Sequence, residues 1–148
     1  MTGEVIILTG PPGAGKTTVA ELLASEASSP AVHLTTDQFY RSIRSGFVLP
    51  FRPAAHRQNE VVIRAAADRD DLTLSYVVLR PDLDTTLSRA RQRAEHELKD
   101  VEAITGLYAA FERLADLEDH AIDTGKLDAV QTAAEVRRVL ASGEYRLS

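Results

Sequence analysis

The sequence predicts an α/β fold in which helices pack against a parallel β-sheet, within one domain spanning residues 1–148. The apolar run Val5–Leu8 has the character of a buried parallel strand. A glycine-rich loop follows this run directly, and then a helical pattern places Val19 and Leu22 on one face. A second apolar strand at Leu72–Leu79 is also followed by a helical pattern. Strands that alternate with helices are typical of a parallel sheet.

The other elements are predicted from apolar spacing and turn residues. Asp128 suits the N-cap of the last helix, and Gly143 suits the position just after its end. The helix at 101–117 repeats apolar residues at helical spacing, so we expect it to face the core. The predicted strands are 4–9, 31–34, 72–79 and 120–124, and the predicted helices are 16–27, 39–44, 54–69, 84–97, 101–117 and 129–141.

The composition limits the class of protein and the partners that we expect. The chain of 148 residues is 44% hydrophobic and has a net charge of -5, with no overall basic excess that would favour nucleic acid. It has no cysteine, which excludes disulfides and thiolate chemistry. No apolar run approaches membrane-spanning length, and no leader pattern opens the sequence. We expect a cytoplasmic protein without membrane contact, monomeric or weakly dimeric.

The glycine-rich loop matches the pattern G-x-x-x-x-G-K-[ST] from Gly10 to Thr17. Glycines keep side chains away from an anion, and the amides of the loop and of the next helix start can donate to phosphate. A lysine can follow the β- and γ-phosphates, and a threonine hydroxyl suits Mg²⁺. The pattern therefore predicts that a nucleoside triphosphate and Mg²⁺ bind here. The candidate residues are Pro12, Gly13, Ala14, Gly15, Lys16, Thr17 and Thr18, with Lys16 also catalytic and Thr17 a metal ligand.

Asp37 follows the predicted strand at 31–34, so it would lie at the same end of the sheet as the glycine-rich loop. Its carboxylate could accept the proton of an attacking hydroxyl or hold the metal through water. It is therefore a candidate catalytic and metal-binding residue. A helix-capping role is the alternative, because Thr35 and Gln38 have capping-box spacing, and the two roles are compatible.

The segment from Phe39 to Asn59 is the predicted substrate loop. It combines aromatic side chains, prolines and cations that could cover a substrate and bind its phosphate or carboxylate. An equally good interpretation is a loop that Phe47 and Phe51 anchor to the core. His56 and Asn59 also suit surface or capping positions. The candidate substrate-binding residues are Phe39, Arg44, Arg52, His56 and Asn59.

Two arginines lie four residues apart on the helix predicted at 84–97. Arg89 and Arg93 would therefore share one helical face. Two guanidinium groups on one face can clamp a triphosphate or stack on a base. The alternative is a solvated face paired with Glu95 and Glu97.

The order of these features resembles the small P-loop kinases. These include the nucleoside-monophosphate, shikimate, gluconate and chloramphenicol kinases and the zeta-toxin-like AAA-type ATP-binding proteins, of which the last two are the nearest likeness. The resemblance implies a three-layer α/β/α P-loop NTPase fold. It also implies that Arg89 and Arg93 are lid arginines, one near the base and one at the phosphates. Thr124, Gly125 and Lys126 would form part of the adenine pocket.

The sequence departs from that family between Ala65 and Asp71. One strand–helix unit, on the order of 30 residues, is missing there, and with it the acidic Walker B-like segment. Either the unit is deleted or the numbering crosses an unseen stretch. We favour the second explanation, because a few turn residues cannot make a parallel crossover.

Together these features predict a kinase that moves the γ-phosphate of ATP to a small acceptor carrying a hydroxyl or phosphate. One alternative is a nucleotide-dependent regulatory or switch ATPase without such an acceptor. Another is a kinase of nucleic-acid ends or of cell-wall precursors. A GTPase is disfavoured, because Gly125 stands where the guanine-reading motif needs Asn and no Asp is followed by Gly three residues later.

Overall fold

The computed structural model describes residues 3–35, 38, 41, 43–48, 72–92 and 100–147, and the elements are numbered over those residues. The strands are β1 Gly3–Thr9, β2 Leu72–Leu79 and β3 Ala121–Ile122. The helices are α1 Lys16–Ser25, α2 Leu83–Arg91, α3 Val101–Ala109 and α4 Ala129–Ser142, with a 3₁₀ helix at Ala115–His120. Among these helices, none is both long and apolar enough to cross a membrane.

The sheet is parallel, with the strands in the order β1-β2-β3. Thr9 at the end of β1 lies opposite Val78 of β2, and Leu79 lies opposite Ile122 of β3. The carboxyl ends of the strands therefore meet at one edge. The loops that follow them are brought together there, which is where open α/β sheets bind ligands.

β2 is buried on both faces of the sheet. Val77 and Val78 are adjacent, so their side chains point to opposite faces, and each is 0% exposed. Helices therefore flank the sheet, which confirms the predicted α/β fold class of a P-loop NTPase. β1 is less covered, because Val5 to Thr9 are all half-buried.

Helices α1 and α4 pack against each other beside the sheet. Val19 of α1 and Val136 of α4 belong to one buried cluster with Val77 and Leu79 of β2. Leu22 and Leu23 pack against that cluster, so the apolar face predicted for the first helix is confirmed.

The last helix begins and ends where its capping residues predict. The Asp128 carboxylate accepts a hydrogen bond of 2.8 Å from the Gln131 N–H, and the Gln131 side chain accepts one of 3.0 Å from the Asp128 N–H. This reciprocal pair is a capping box. Gly143 closes the helix with φ of 77°, a left-handed conformation that glycine adopts without a Cβ penalty.

The predicted strand at 31–34 is wrong. Residues 31–35 form no strand, and the side chains of Val32 and Leu34 are 80% and 78% exposed. A strand needs a neighbour to satisfy its backbone groups. Within the described residues, no strand pairs with the edge of β1 that faces away from β2. The apolar alternation of 31–34 therefore has no sheet to join in the described fold.

The prediction of one helix at 101–117 is also wrong in its extent. The helix ends at Ala109, and the Phe111 N–H then donates to the Tyr108 carbonyl at 2.8 Å, in the tighter 3₁₀ pattern. Arg80 holds the turn that follows, because its guanidinium donates to the Phe111 carbonyl at 3.1 Å and to Glu118 at 2.6 Å. Ile104 is buried as predicted, whereas Val101 is 46% exposed.

The observed bounds of the other elements differ less from the predicted ones. The first helix ends at Ser25, two residues before the predicted end, and the strand predicted at 120–124 is confined to Ala121–Ile122. The predicted helix at 54–69 and the interval from Ala65 to Asp71 lie outside the described residues, as does most of the predicted helix at 39–44. Both explanations of the missing strand–helix unit concern the interval from Ala65 to Asp71, so both stay predictions.

Candidate functional site

The glycine-rich loop joins the end of β1 to the start of α1. Gly10, Gly13 and Gly15 have φ of 150°, 88° and 84°, which lie in the region that favours glycine. Gly15 is the N-cap of α1 and supplies no side-chain cap. The first-turn N–H groups of α1 are therefore not satisfied by a capping side chain, and they can donate to an anion.

Two of these glycines also make close approaches that no other residue permits. A Cβ on Gly10 would lie 2.2 Å from the Leu79 carbonyl oxygen at the end of β2. A Cβ on Gly13 would lie 2.8 Å from the Thr86 carbonyl oxygen of α2. The loop is thus held between β2 and α2.

Lys16 folds back over its own loop. Its Nζ donates to the carbonyl oxygens of Gly10 at 2.8 Å and Pro11 at 2.9 Å. The ammonium group therefore lies beside the loop amides and the α1 N-terminus, where it adds a full positive charge to their partial charges. This donor set fits the phosphates of a nucleoside triphosphate.

The predicted Mg²⁺ ligands are described only in part. Thr17 lies in the first turn of α1 with an exposed side chain, so its hydroxyl can reach a cation beside bound phosphates. Asp37 lies outside the described residues. Within the part of the chain that the structure describes, no group of at least three His, Cys, Asp or Glu residues could hold a metal ion. Thr17 could hold a metal ion together with the phosphate oxygens of a bound nucleotide.

Arg89 connects α2 to the β3–α4 loop (residues 123–128). Its guanidinium Nη2 donates to the carbonyl oxygens of Thr124 at 3.2 Å and Leu127 at 3.0 Å. Arg89 also lines a cavity of about 180 Å³ with Gly15 and Thr18 of the phosphate-binding segment. The structure therefore places Arg89, Leu127 and the phosphate-binding loop around one space.

Gly125 lies between two carboxylates. Its N–H donates to the Asp123 Oδ1 at 2.9 Å, and a Cβ on Gly125 would lie 2.6 Å from the Asp82 Oδ2. Asp82 caps α2, and the Thr85 backbone N–H and hydroxyl both donate to it at 2.8 Å. These bonds, the backbone bond first, hold the pKa of the Asp82 carboxyl below its usual value. Sequence reasoning missed Asp82, although a cap pattern, Asp three residues before Thr, follows Pro81.

Among the residues that the structure describes, two buried hydroxyls beside the loop have no hydrogen-bond partner: Thr86 Oγ1 and Thr124 Oγ1. Both residues are 0% exposed. The Thr86 carbonyl lies against Gly13, and the Thr124 carbonyl accepts from Arg89. Backbone contacts rather than the hydroxyls therefore fix both residues beside the site.

The structure describes only some of the remaining predicted site residues. Lys126 and Arg44 are exposed. Arg93, Phe39, Arg52, His56 and Asn59 lie outside the described residues, so the arginine pair and the substrate loop stay predictions.

A larger open groove of about 690 Å³ lies between β3 and α4. Asp123, Glu135, Arg138 and Tyr145 line it, and the residues of the glycine-rich loop do not. The groove borders the smaller cavity at Leu127, which lines both, but it does not reach the phosphate-binding loop. The smaller cavity that contains Gly15 and Arg89 is the better candidate for the functional site.

The fold and the loop geometry define a P-loop nucleotide-binding domain. The family description of the ATPase family associated with various cellular activities (AAA) matches residues 6–122. The chain belongs to this family and is a P-loop domain of the ATPase type. Membership implies nucleotide binding, usually with a divalent metal.

Two solved structures are similar to the chain. An uncharacterized protein from Eubacterium ventriosum aligns with a TM-score of 0.55 and 16% identity, over 96% of this chain and 99% of that one. A sugar kinase from a Janibacter species, solved without ligand, aligns with a TM-score of 0.49 and 17% identity, over 98% and 96% of the two chains. The first likeness supports the fold alone. No curated protein matches the chain.

Proposed function

We propose that the chain is an ATP-dependent phosphotransferase that moves the γ-phosphoryl group of ATP to a small acceptor carrying a hydroxyl or phosphate. The observation that carries the proposal is the geometry of the phosphate-binding loop. Its left-handed glycines leave the α1 amides open, and the Lys16 ammonium lies over the loop. Binding of a triphosphate follows from this donor set.

The reaction would be an in-line displacement at the γ-phosphorus. The acceptor oxygen forms the new bond, the bond to the β,γ-bridging oxygen breaks, and ADP leaves. Lys16 and the α1 amides would stabilise the charge on the phosphate oxygens, and Mg²⁺ bound with ATP would neutralise the remainder. Thr17 would hold that ion. Asp37 would accept the proton that the acceptor hydroxyl loses.

The same proposal includes an assignment to one group of small kinases. The position of Asp37 and the spacing of Arg89 and Arg93 favour the zeta-toxin-like and chloramphenicol-phosphotransferase-like group of small kinases. The bonds of Arg89 to the β3–α4 loop support a place near the base for one of the two arginines.

A screen for acceptor-dependent ADP release tests the proposal. Sugars, nucleosides, antibiotics and acidic metabolites are offered with ATP and Mg²⁺, and ADP is measured with a coupled assay. We expect one class to raise the rate. Asp37→Asn should lower that rate while calorimetry shows unchanged ATP affinity. Lys16→Ala serves as the control that should not turn over.

A regulatory or switch ATPase is the competing function. The specific observation in its favour is the match of residues 6–122 to the description of the ATPase family associated with various cellular activities. If no acceptor changes the rate of ADP release, the result would contradict the kinase and favour the switch ATPase. If the acceptor is a nucleic-acid end, its binding to the protein should weaken steeply as the salt concentration rises.

A further inference from the structure

The small cavity beside the phosphate-binding loop has two walls of different chemistry. Gly15 and Thr18 of the phosphate-binding segment form one wall, and Arg89, Leu127 and Ala129 line the cavity with them. A triphosphate held by the loop amides takes the first wall, so its nucleoside is left with the second. The cavity is half-open, with a volume of about 180 Å³, and it has room for one planar base.

The polar side chains of the second wall are bonded within the protein. Arg89 Nη2 donates to the carbonyl oxygens of Thr124 at 3.2 Å and Leu127 at 3.0 Å. Thr132 also lines the cavity, and its hydroxyl donates to the Asp128 carbonyl oxygen at 2.7 Å. A base could take either of these donors only if a hydrogen bond inside the protein breaks, which costs free energy.

The polar groups that are left on this wall match atoms that adenine and guanine share. Asp128 Oδ1 accepts the Gln131 N–H at 2.8 Å, and within the described part of the chain Oδ2 stays available to an amino group. The Ala129 N–H lies in the first turn of α4, where it can donate to a ring nitrogen. Adenine and guanine each carry an exocyclic amino group and unprotonated ring nitrogens. Neither protein group therefore selects one purine over the other.

The rest of the second wall provides contact area. Leu127 and Ala129 have aliphatic side chains and are half-buried, and the planar guanidinium of Arg89 can stack on the face of a base. Leu127 also lines the open groove beside β3, so a base that extends past it meets water rather than a closed wall. Contacts of this kind depend on the area of the base and not on the pattern of donors and acceptors at its edge.

We propose that this cavity holds a purine base by contact area without reading its edge, so that ATP and GTP both serve as phosphoryl donors. The inference rests on the proposed phosphotransferase function and widens its donor from ATP to the purine nucleoside triphosphates. The acceptor oxygen bonds to the γ-phosphorus and the bond to the β,γ-bridging oxygen breaks in either case, and ADP or GDP leaves. The base contributes affinity and takes no part in the reaction.

Calorimetry of the wild-type protein with ATP and with GTP, each with Mg²⁺, tests the lack of edge recognition directly. We expect dissociation constants within about threefold of each other, less than the roughly fivefold that one neutral hydrogen bond contributes. A larger preference for either nucleotide would overturn the inference, because a site that reads hydrogen-bonding groups rejects a ligand that lacks them.

Leu127→Ala tests where the base lies. It should weaken the binding of ATP and GTP equally, by roughly fivefold, because a half-buried leucine loses part of its contact area. Inorganic tripolyphosphate has no base and should bind the variant as it binds wild type. Val130→Ala is the matched control, because Val130 is a 66% exposed aliphatic residue nearby that lines neither cavity. Thermal unfolding verifies that each variant is folded.

Equal ATP affinities in Leu127→Ala and wild type would overturn the placement of the base, and a loss limited to one nucleotide would overturn the lack of edge recognition. Weaker tripolyphosphate binding by Leu127→Ala would also overturn the inference, because it would assign Leu127 to the phosphate end. If neither ATP nor tripolyphosphate binds wild type, the proposed nucleotide site fails and the inference fails with it. ATP binding by wild type would confine every other failure to the inference.

Discussion

At the scale of single residues, Gly10 is fixed by the backbone that surrounds it. Its φ is 150°, and a Cβ there would lie 2.2 Å from the Leu79 carbonyl oxygen, an atom held by the central strand. Gly46 is the matched comparison, because its φ is 69° but no atom of the described residues lies within 4 Å of its hypothetical Cβ.

Gly10→Ala should therefore destabilise the chain more than Gly46→Ala. We expect about 1 kcal/mol for Gly46→Ala, from the left-handed conformation alone. For Gly10→Ala we expect more than about 2 kcal/mol, because the strand or the loop must also move. Urea unfolding of both variants measures the difference, and equal losses would show that the approach to Leu79 is not rigid.

Asp82 gives a prediction about pH. Its folded pKa is lowered from 3.8 by the bonds from Thr85, so its carboxylate stabilises the fold above the unfolded pKa. That contribution is lost as the pH falls through the folded pKa. The difference in unfolding midpoint between wild type and Asp82→Asn should therefore narrow as the pH falls below 3.8. A difference that stays constant through this range would refute a role for the charge.

Several residues could be predicted from the sequence because their neighbours along the chain determine them. Gly13, Gly15 and Lys16 belong to one contiguous motif, and their conformations follow from it. The contact between Gly125 and Asp82 joins residues far apart in sequence, and so does that between Gly13 and Thr86. Such contacts depend on how α2 packs against the loops, and no local sequence pattern determines that packing.

At the scale of elements, α4 depends on its cap. The side chains and backbones of Asp128 and Gln131 satisfy each other reciprocally. Removal of the Asp128 carboxylate leaves first-turn N–H groups without that acceptor.

Asp128→Ala should cost about 1 kcal/mol of unfolding free energy. Asp128→Asn should cost much less, because its side-chain oxygen still accepts the Gln131 N–H. Denaturant unfolding compares the two variants with wild type. Equal losses would mean that the charge, and not the cap geometry, stabilises α4.

Elements with strong local signals agree with the sequence, and those that need distant partners do not. The strand at Leu72–Leu79 and the start of α4 were predicted residue for residue. The segment 31–34 has strand composition but is exposed, because composition cannot supply a pairing strand. The early end of α3 is associated with the hydrogen bonds from Arg80 to Phe111 and Glu118, which come from outside the helix.

At the scale of the whole molecule, a complete phosphate-binding loop lies at one edge of a sheet that has three strands in the described part of the chain. β2 is central and buried on both faces, whereas β1 is only half-buried. The parallel register nevertheless brings the loop after β1 and the loop after β3 to one edge, with α2 touching both through Gly13 and Arg89. The nucleotide site therefore depends on β1, β2, β3 and α2, which are all present.

The central claim is that the Gly10–Thr18 loop binds the phosphates of ATP, and calorimetry with ATP and Mg²⁺ tests it most directly. The loss of the Lys16 ammonium should weaken binding roughly tenfold to a hundredfold, because a charge-assisted hydrogen bond is removed. Arg113→Ala, which removes an exposed positive charge, is the control and should bind like wild type. ATP affinity in Lys16→Ala equal to that of wild type would contradict the claim.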